Sequence, residues 1–535
     1  MKKFVLLGDE AIAQAALDAG ISGVYAYPGT PSTEITEYIQ RNQRARERGV
    51  HSVWSANEKT ALEAALGMSY AGKRALACMK HVGLNVAADA FVNAGMTGVN
   101  GGLVVVVADD PSMHSSQNEQ DSRFYGKFAM VPVLEPSNQQ EAYGMTRYAF
   151  DLSERTGLPV LLRVTTRLAH SRAVVEGGEE RTENTLSLPA DLKQFILLPG
   201  LARKRYKSLL EIQTLLAGEG RSSGFVHARE GHDKTLGIIA CGLARNYYLE
   251  VAGDRGMDHP LLTVGQYPVD RAVLTGFVSG VDQVLVLEEG APFLEESLAG
   301  ILPSAHRIRG RLDGTLPRDG ELNPGLVSQA LGFEQNQGYG IPGLVRDRPP
   351  ALCKGCGHID MYNALNEALD GLGPGRVFSD IGCYTLGALP PYNAINSCVD
   401  MGASIPMAKG AADAGLRPSV AVIGDSTFTH SGMTGLLDAV VEGTPLTVII
   451  SDNSTTGMTG GQSSHATGRL EEICRGLGVE EEHIVPLNPL KKYHDENTDK
   501  IRRELSHNGV SVIISARECI QTARKSKRQT ATPEP

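Results

Sequence analysis

Several features that define other classes of protein are missing from this sequence. No run of 18 or more apolar residues is present, and the apolar stretch near the N-terminus reaches charged residues too soon for a signal peptide. The formal net charge is −10, and no basic cluster is interleaved with aromatic residues. We therefore expect a cytoplasmic protein with neither a membrane nor a nucleic acid as a partner.

Cysteine is also scarce, and repeats are absent. Eight cysteines among 535 residues do not make a disulfide framework, so each thiol must be judged as metal-binding, redox-active or simply buried. No short-period repeat indicates a solenoid. The chain is longer than the roughly 250–300 residues at which single cores stop growing, so several domains are expected.

Strand-like and helix-like segments alternate along the chain, which predicts parallel sheets covered by helices. We predict an α/β fold with three doubly wound parallel-sheet domains, at residues 1–185, 195–335 and 345–535. A polar interval at residues 176–186 is predicted to be a linker, and glycine and proline crowd together before the third domain.

Two predicted strands of the third domain end in oxygen-bearing side chains. The apolar run 420–424 ends at Asp425, and the run 446–451 ends just before Asn453. Ligands bind at such strand ends in open α/β sheets, and Mg2+ prefers oxygen ligands. The segment between them, with Gly432, predicts a helix whose N-terminus would face a pyrophosphate. Two core strands ending in polar turn residues would produce the same pattern without a ligand.

A glutamate in the first domain is placed for acid–base chemistry. Glu58 is predicted to lie in the first turn of a helix that follows a strand, so it lies beside the strand's carboxyl end. Glu63 points about 140° away around the same helix. The alternative is that Glu58 only complements the helix dipole.

Three further residues of the first domain are candidates for binding a substrate. Thr30 lies in a tight turn at a strand end, where its hydroxyl and nearby N–H groups would cradle a carboxylate. Lys80 and His81 follow the next strand and would add a cation and a proton donor. The alternative is that the Thr30 hydroxyl only makes hydrogen bonds within its own turn and that Lys80 and His81 face solvent. His358 and His430 are additional candidates without an assigned role.

Four cysteines lie at the ends of elements in the third domain: Cys353, Cys356, Cys383 and Cys519. A [4Fe-4S] cluster needs four thiolates and tolerates wide spacing in sequence. A structural zinc site or four inert thiols are the alternatives. The remaining cysteines have apolar surroundings in the sequence and are predicted to be core residues: Cys78, Cys241, Cys398 and Cys474.

Dispersed motifs, in order, resemble those of a known family. The chain is similar to the large subunits of indolepyruvate:ferredoxin oxidoreductases, within the 2-oxoacid:ferredoxin oxidoreductase superfamily. The motifs are AYPGTPSTEI (26–35), NEKTA (57–61), MKHVGLN (79–85), VADDPS (107–112), LEEG (287–290), LCKGCGH (352–358), DIGCYTLG (380–387), CVDMGAS (398–404), GDS (424–426) and SDNSTTGMTG (451–460).

The resemblance implies thiamine diphosphate with Mg2+ as cofactors. It implies that residues 1–185 bind the aminopyrimidine, that residues 195–335 form a transketolase C-terminal-like domain, and that residues 345–535 bind the pyrophosphate. By the same resemblance, Glu58 activates the coenzyme and Asp425, Asn453 and Thr455 hold Mg2+. Other implied coenzyme contacts are Gly402, Gly424 and Ser426. The four cysteines match the superfamily's proximal [4Fe-4S] ligands.

The implied reaction is oxidative decarboxylation of a 2-oxoacid, such as indolepyruvate, to an acyl-CoA, with coenzyme A as cosubstrate. Electrons would pass through the cluster to ferredoxin or another carrier. The implied partners are a small indolepyruvate-type oxidoreductase subunit and a second copy of this chain, since coenzyme sites are commonly shared between chains.

The sequence departs from the family pattern in three respects. The 535 residues contain neither of the two Cys-x2-Cys-x2-Cys-x3-Cys runs of the family's ferredoxin-like module, Ser426 replaces a glycine, and Asp452 replaces an asparagine. A nonoxidative thiamine diphosphate-dependent decarboxylase, carboligase or acyl-transfer enzyme is therefore the alternative. A degenerate scaffold subunit is disfavoured, because Glu58, Asp425 and Asn453 are all present.

Overall fold

Sheets of mostly parallel strands, covered by helices, carry the candidate residues. The computed structural model describes residues 2–189, 191, 193–299, 307–334, 340–346 and 350–531. The chain divides into two compact units, residues 1–339 and residues 340–535. Among the described residues, no helix combines the length and the apolar character that crossing a membrane requires.

Strands and helices alternate closely at the start of the first unit. Residues 3–176 form β1 (Lys3–Leu7), α1 (Gly8–Asp18), β2 (Gly23–Ala26), α2 (Thr33–Arg41), α3 (Gln43–Glu47), β3 (His51–Trp54), α4 (Glu58–Tyr70), β4 (Ala75–Lys80), α5 (His81–Thr97), β5 (Leu103–Asp109), α6 (Arg123–Ala129), β6 (Val133–Leu134), α7 (Gln139–Thr156), β7 (Val160–Thr165), α8 (Thr166–His170) and β8 (Arg172–Glu176).

The rest of the first unit continues this alternation. Its elements are α9 (Pro199–Ser222), β9 (Val226–Arg229), β10 (Gly237–Cys241), α10 (Ala244–Arg255), β11 (Leu261–Val264), β12 (Gln266–Tyr267), α11 (Arg271–Val278), β13 (Gln283–Leu287), α12 (Phe293–Ala299), β14 (Arg307–Arg309) and α13 (Pro324–Ala330).

Two large sheets form in this unit. One has seven strands in the order β12-β6-β7-β5-β4-β2-β3, and the other has five in the order β14-β13-β10-β11-β9. Strands β12 and β9 pair antiparallel with their neighbours, and the other pairs are parallel. Strands β5 and β7 are buried along their whole length, because helices cover both faces of a parallel sheet. Buried side chains from the two sheets join in shared apolar clusters.

The second unit is built around one six-stranded sheet. Its elements are α14 (Gly357–Ala368), β15 (Val377–Ser379), β16 (Ser397–Cys398), α15 (Ser404–Asp413), β17 (Val420–Gly424), α16 (Asp425–Thr427), α17 (Met433–Glu442), β18 (Leu446–Asp452), β19 (Thr455–Thr456), β20 (Gln462–Ser463), α18 (Leu470–Gly476), β21 (Ile484–Leu487), α19 (His494–Leu505), β22 (Val510–Ala516) and α20 (Ile520–Ala531).

The strand order in this sheet is β16-β15-β17-β18-β22-β21, and every pair is parallel. Strands β17 and β18 are neighbours, as expected for two strands that deliver ligands to one edge. The predicted α/β architecture with several parallel-sheet domains is therefore confirmed. The three-domain boundaries stay a prediction.

The polar interval predicted as a linker is held against the first unit. Residues 177–189 lack regular structure, but the N–H of Arg181 donates to the carbonyl of Asp18 over 2.8 Å. Lys73 Nζ donates to Glu183 over 2.7 Å, and Asn184 Nδ2 donates to a carboxylate of α7 over 2.7 Å. These contacts join residues that are distant in sequence, and the role of the interval as a boundary between domains stays a prediction.

Candidate functional site

Asp425 lies where two adjacent parallel strands of the second unit end. Gly424 at the end of β17 pairs in register with Ser451 of β18, so Asp425 and Asn453 follow neighbouring strands. Asp425 is 2% exposed, and its Oδ2 has no hydrogen-bond partner among the described residues. Burial raises the pKa of this carboxyl group to about 7. A cation would satisfy such an oxygen, so Asp425 fits a metal ligand.

The backbone around Asp425 leaves little space. A Cβ atom on Gly424 would lie 2.6 Å from Tyr384 Cε1, which explains the glycine at this position. The chain turns directly into helix α16 at Asp425, continues as a π-helical segment at Phe428–Gly432 and then as α17. The helix therefore begins at the metal-ligand candidate itself. Ser426 Oγ lies 2.9 Å from the hydroxyl of Thr456.

The turn after β18 presents Asn453 and Thr455. Asn453 Oδ1 accepts a hydrogen bond from the N–H of Thr455 over 3.1 Å, and Asp452 Oδ1 accepts one from the N–H of Ser454 over 2.9 Å. Ser454 has the left-handed backbone angle φ = 60°, which a short turn of this kind requires. Asp425, Ser426, Asn453 and Thr455 thus lie at one edge of the sheet, where the strand pattern placed Asp425 and Asn453.

Gly402 lies beside a buried carboxyl group that the sequence reasoning did not assign. A Cβ atom on Gly402 would lie 2.6 Å from Ser431 Cβ, and the backbone there has φ = +98°. Asp380 accepts hydrogen bonds from Ser404 Oγ over 2.6 Å and from the hydroxyl of Tyr384. Burial raises the pKa of Asp380 to about 7. Asp380 is the first residue of the DIGCYTLG motif, and that position was the feature of the sequence from which it could have been found.

The four candidate cysteines line one cavity of the second unit, which Asn453 also lines. The N–H of Cys356 donates to the carbonyl of Cys353 over 2.9 Å, and the N–H of Cys519 donates to the carbonyl of Asn453 over 3.1 Å. Burial and the neighbouring thiols raise the pKa of Cys383 to about 12. The backbone of Cys519 is therefore hydrogen-bonded to the turn that carries Asn453, a candidate metal ligand.

The sulfur atoms are spread more widely than a zinc site requires. In the described part of the chain, no three of these four cysteines bring their Sγ atoms within 4.8 Å of one another. Tetrahedral zinc with Zn–S bonds of about 2.3 Å would place the sulfurs about 3.8 Å apart. A four-iron cluster is larger and separates its thiolates further, so the donor set fits it better.

One cysteine predicted to be in the core is not there. Cys398 is exposed, at the end of the short edge strand β16, with its sulfur 3.8 Å from the carbonyl oxygen of Asp380. Cys78, Cys241 and Cys474 are buried as predicted. The edge position of β16 was not visible in the sequence.

Glu58 is the first residue of α4 and is 4% exposed. A Cβ atom on Gly83 of α5 would lie 2.6 Å from Glu58 Oε1, so the glycine leaves room for the carboxylate. The alternative residue, Glu63, is half-exposed and pairs with Lys59. Burial at a helix start matches the position that the sequence predicted for Glu58.

Thr30 and Lys80 share a neighbour in the first unit. Lys80 Nζ donates to the carbonyl of Ser115 over 3.2 Å, and Ser115 Oγ donates to the carbonyl of Thr30 over 3.4 Å. Burial lowers the pKa of Lys80, whereas the negative charges of Asp110 and Glu58 oppose this shift. The structure therefore brings Thr30, Lys80 and Glu58 into one polar region.

His81 is buried, whereas the alternative interpretation of the sequence was that it faces solvent. It is 1% exposed, and its Nε2 lies 3.2 Å from the carbonyl oxygen of Asn118. Its Nδ1 has no hydrogen-bond partner among the described residues. The other two histidines contact nearby serines: Nδ1 of His358 lies 2.6 Å from Ser451 Oγ, and Nδ1 of His430 lies 2.6 Å from Ser431 Oγ.

A buried ionic network supports this region, and no local sequence pattern predicts it. Arg163 is fully buried, with its Nε 2.6 Å from Asp109 Oδ2 and its Nη1 paired with Glu135. Arg123, also fully buried, lies 2.9 Å from Glu288 in the LEEG motif. The network thus joins the seven-stranded sheet to the residues that follow β13.

Comparison with known proteins agrees with this geometry. The family model for the thiamine diphosphate-binding part of pyruvate flavodoxin/ferredoxin oxidoreductases matches residues 14–196, and the model for the C-terminal binding domain of thiamine pyrophosphate enzymes matches residues 380–514. The indolepyruvate oxidoreductase subunit IorA of Archaeoglobus fulgidus is 40% identical over 99% of this chain and 88% of its own length. The chain belongs to the IorA family.

Other members of the IorA family show the same extent of similarity. The Methanothermobacter marburgensis subunit is 40% identical, over 97% of this chain and 87% of that protein. A solved 2-oxoglutarate:ferredoxin oxidoreductase from Magnetococcus marinus shares the fold, with a TM-score of 0.50 and 15% identity over 62% of this chain and 64% of that one. IorA-family membership confirms the predicted resemblance and makes the chain a thiamine diphosphate-binding subunit of an oxidoreductase that acts on 2-oxoacids.

Proposed function

We propose that this chain carries out the oxidative decarboxylation of indolepyruvate or a similar arylpyruvate. The balanced reaction joins the 2-oxoacid and coenzyme A into an acyl-CoA, releases CO2 and a proton, and reduces two one-electron carriers. Indolepyruvate is proposed because the relatives are named indolepyruvate oxidoreductase subunits. Bound thiamine diphosphate supplies the carbon nucleophile and the electron sink for loss of CO2.

In this proposal the second unit holds the charged end of the coenzyme. Asp425, Asn453 and the backbone at Thr455 bind Mg2+, and Gly402, Gly424 and Ser426 allow the pyrophosphate to approach the backbone. The supporting observation for the metal is the buried Oδ2 of Asp425, which lacks a partner among the described residues. A carboxylate and an amide oxygen are ligands suited to a hard cation.

The first unit supplies the proposed acid–base and substrate groups. Glu58 would hydrogen-bond the aminopyrimidine ring of the bound coenzyme, and this contact would favour loss of the C2 proton. Lys80 and Thr30 bind the substrate carboxylate, and the Nδ1 atom of His81 is available to donate a proton. The supporting observation is that Lys80 and Thr30 share Ser115 as a neighbour.

The observation that carries the oxidative assignment is the hydrogen bond from Cys519 to Asn453. Because that contact builds the four-cysteine cavity onto the metal-binding turn, we propose that Cys353, Cys356, Cys383 and Cys519 hold a [4Fe-4S] cluster near the coenzyme. Electrons would leave through it to ferredoxin or another carrier. Without the cluster, the same scaffold would release an aldehyde or join the acyl group to another carbonyl compound.

The products of the reaction distinguish these outcomes. The chain is purified without oxygen together with its small partner subunit and is given indolepyruvate, coenzyme A and oxidised ferredoxin. We expect one indoleacetyl-CoA for every two ferredoxins reduced. Indoleacetaldehyde as the main product, with ferredoxin left oxidised, would contradict the proposal.

A matched pair of cysteine variants tests the cluster ligands. Cys383→Ser should lose bound iron and ferredoxin reduction, because it removes a proposed thiolate ligand. Cys398→Ser should keep both, since Cys398 lies outside the four-cysteine cavity. Equal iron content in the two variants would rule out Cys383 as a ligand.

We also propose a complex with a small oxidoreductase subunit and two copies of this chain. The relatives are named as subunits, which supports a partner. Mixing Glu58→Gln chains with Asp425→Ala chains tests whether two copies share coenzyme sites. Partial return of activity is expected, because one shared site would be intact; inactivity after confirmed exchange of subunits would exclude sharing.

A further inference from the structure

The carboxyl group of Asp9 is buried without a hydrogen-bond partner in the described part of the chain, which is energetically unfavourable. It is the second residue of α1 and is 0% exposed. Neither of its carboxylate oxygens has a hydrogen-bond partner among the described residues. Leaving a buried polar group unsatisfied costs about 1–3 kcal/mol, and more if the group is charged. A buried group of this kind requires an explanation, such as a bound ion.

Two metal-ligating side chains lie beside Asp9. Glu34 is the second residue of α2, and His170 is the last residue of α8. One ligand atom from each of Asp9, Glu34 and His170 lies within 4.8 Å of the others. His170 Nε2 is 3.6 Å from Glu34 Oε2, and that oxygen is also buried without a hydrogen-bond partner in the described part of the chain.

The fold holds these three elements together closely. A Cβ atom on Gly8 would lie 2.3 Å from the carbonyl oxygen of Leu168, so only glycine lets the start of α1 approach the backbone of α8 this closely. That approach places Asp9 beside His170. Helix α2 packs against α1 and brings Glu34 to the same point. Backbone packing therefore fixes the three helices that carry these residues, with Asp9 buried, Glu34 half-buried and His170 exposed at the surface.

We propose that Asp9, Glu34 and His170 bind a divalent first-row transition cation of the Mn2+ or Zn2+ type. Two carboxylates and one imidazole are ligands that such ions accept, whereas Mg2+ and Ca2+ prefer oxygen alone. A cation would satisfy both unpartnered oxygens of Asp9 and would replace the ion pair between His170 and Glu34. This site is separate from the proposed Mg2+ site, whose ligands are in the second unit.

The competing explanation is a proton on Asp9. Burial, with the negative charges of Glu34 and Glu10, raises the pKa of Asp9 well above its usual value. A proton shared between Asp9 and Glu34 would satisfy one oxygen of Asp9 and leave the other without a partner among the described residues. A bound cation removes this difficulty, because both carboxylates can then be ionised.

The position of the site indicates what the cation would do. Helix α2 follows directly after the turn that contains Thr30. Helix α8 begins at Thr166, whose hydroxyl donates to Asp110 over 2.7 Å, and Asp110 in turn accepts from the N–H of Ser115 over 2.8 Å. A cation that ties α1, α2 and α8 together would therefore hold the Thr30 turn in place.

Manganese binding tests this inference without any activity measurement. The full chain is freed of metals with a chelator and titrated with Mn2+ in the absence of thiamine diphosphate. Every sample carries His507→Gln, because Glu480, His483 and His507 form another described group of metal-ligating side chains. Thiolates bind Mn2+ poorly, so the cysteines should not contribute. Electron spin-echo spectroscopy then reports any imidazole nitrogen coupled to Mn2+.

We expect one Mn2+ ion coupled to a single imidazole nitrogen. Asp9→Asn should abolish this ion, and His170→Gln should remove the nitrogen coupling. Glu37→Gln is the matched control: it removes one negative charge from the same helix, α2, and should leave binding unchanged. Circular dichroism confirms that each variant is folded. No nitrogen-coupled Mn2+ at millimolar concentration, or equal binding by Asp9→Asn, would overturn the inference and leave Asp9 as a protonated carboxyl group.

Discussion

Replacing Gly83 with alanine should displace the proposed catalytic carboxylate while largely preserving the fold. The added methyl group would lie 2.6 Å from Glu58 Oε1, 2.7 Å from its Cγ and 2.9 Å from its Cδ. Ordinary contacts of this kind are 3.4–4 Å, so the end of the Glu58 side chain must move by about 1 Å. The carboxylate moves more easily than the two helices, so it should yield first.

The expected magnitudes separate function from stability. A displacement of about 1 Å in a catalytic group can cost ~10²-fold in rate. Overpacking costs about 1–3 kcal/mol, but alanine in a helix gains roughly 0.5–1 kcal/mol over glycine. We therefore expect Gly83→Ala to lose only about 0–2.5 kcal/mol of stability.

Exchange of the coenzyme's C2 proton for deuterium, followed by NMR in the chain loaded with thiamine diphosphate and Mg2+, measures the effect directly. Gly83→Ala should slow exchange by ~10²-fold. Gly67→Ala is the control, because an added methyl group in α4 meets no atom within 4 Å. If Gly83→Ala retained the coenzyme and exchanged at the wild-type rate, the role proposed for Glu58 would be untenable.

Three further predictions concern the first unit. Arg163→Met should lower the free energy of unfolding by about 3–5 kcal/mol, because it leaves Asp109 buried without its cation; Arg41→Met, which breaks an exposed pair, should cost under about 1 kcal/mol, and similar losses in denaturant titrations would contradict this. Burial raises the pKa of Glu289 from 4.5 to about 7, so its stabilising contribution is complete below pH 4.5 and is lost as the pH rises through 7. The loss amounts to ~3 kcal/mol, and Glu289→Gln should abolish that part of the pH dependence of thermal unfolding; an unchanged profile would refute it. Glu58→Gln should retain the coenzyme but slow C2-proton exchange by ~10²–10⁴-fold, and wild-type exchange would move the role to another residue.

The sequence was most informative where burial is continuous. Strands such as β17 and β18 could be predicted because a parallel strand covered on both faces is apolar along its length, and the polar residue that follows it marks the sheet edge. Asp425 and Asn453 were located in this way. A helix was also predicted between the two strands, and the chain is helical from Asp425 onward.

Features that depend on distant partners could not be predicted. The pairing of Arg163 with Asp109 and the meeting of Asp9 with Glu34 and His170 join residues that no local pattern connects. The exposure of Cys398 depends on which strand lies at the sheet edge, and the sequence does not specify strand order.

The central claim is that one chain holds both thiamine diphosphate and an iron-sulfur outlet for electrons. The direct measurement is analysis of iron, sulfide and thiamine diphosphate in the anaerobically purified complex, with electron paramagnetic resonance before and after addition of indolepyruvate. We expect four irons, four sulfides and one coenzyme for each copy of this chain, and a reduced-cluster signal that appears with the 2-oxoacid. Full coenzyme occupancy without iron in this chain, accompanied by decarboxylation, would contradict the account.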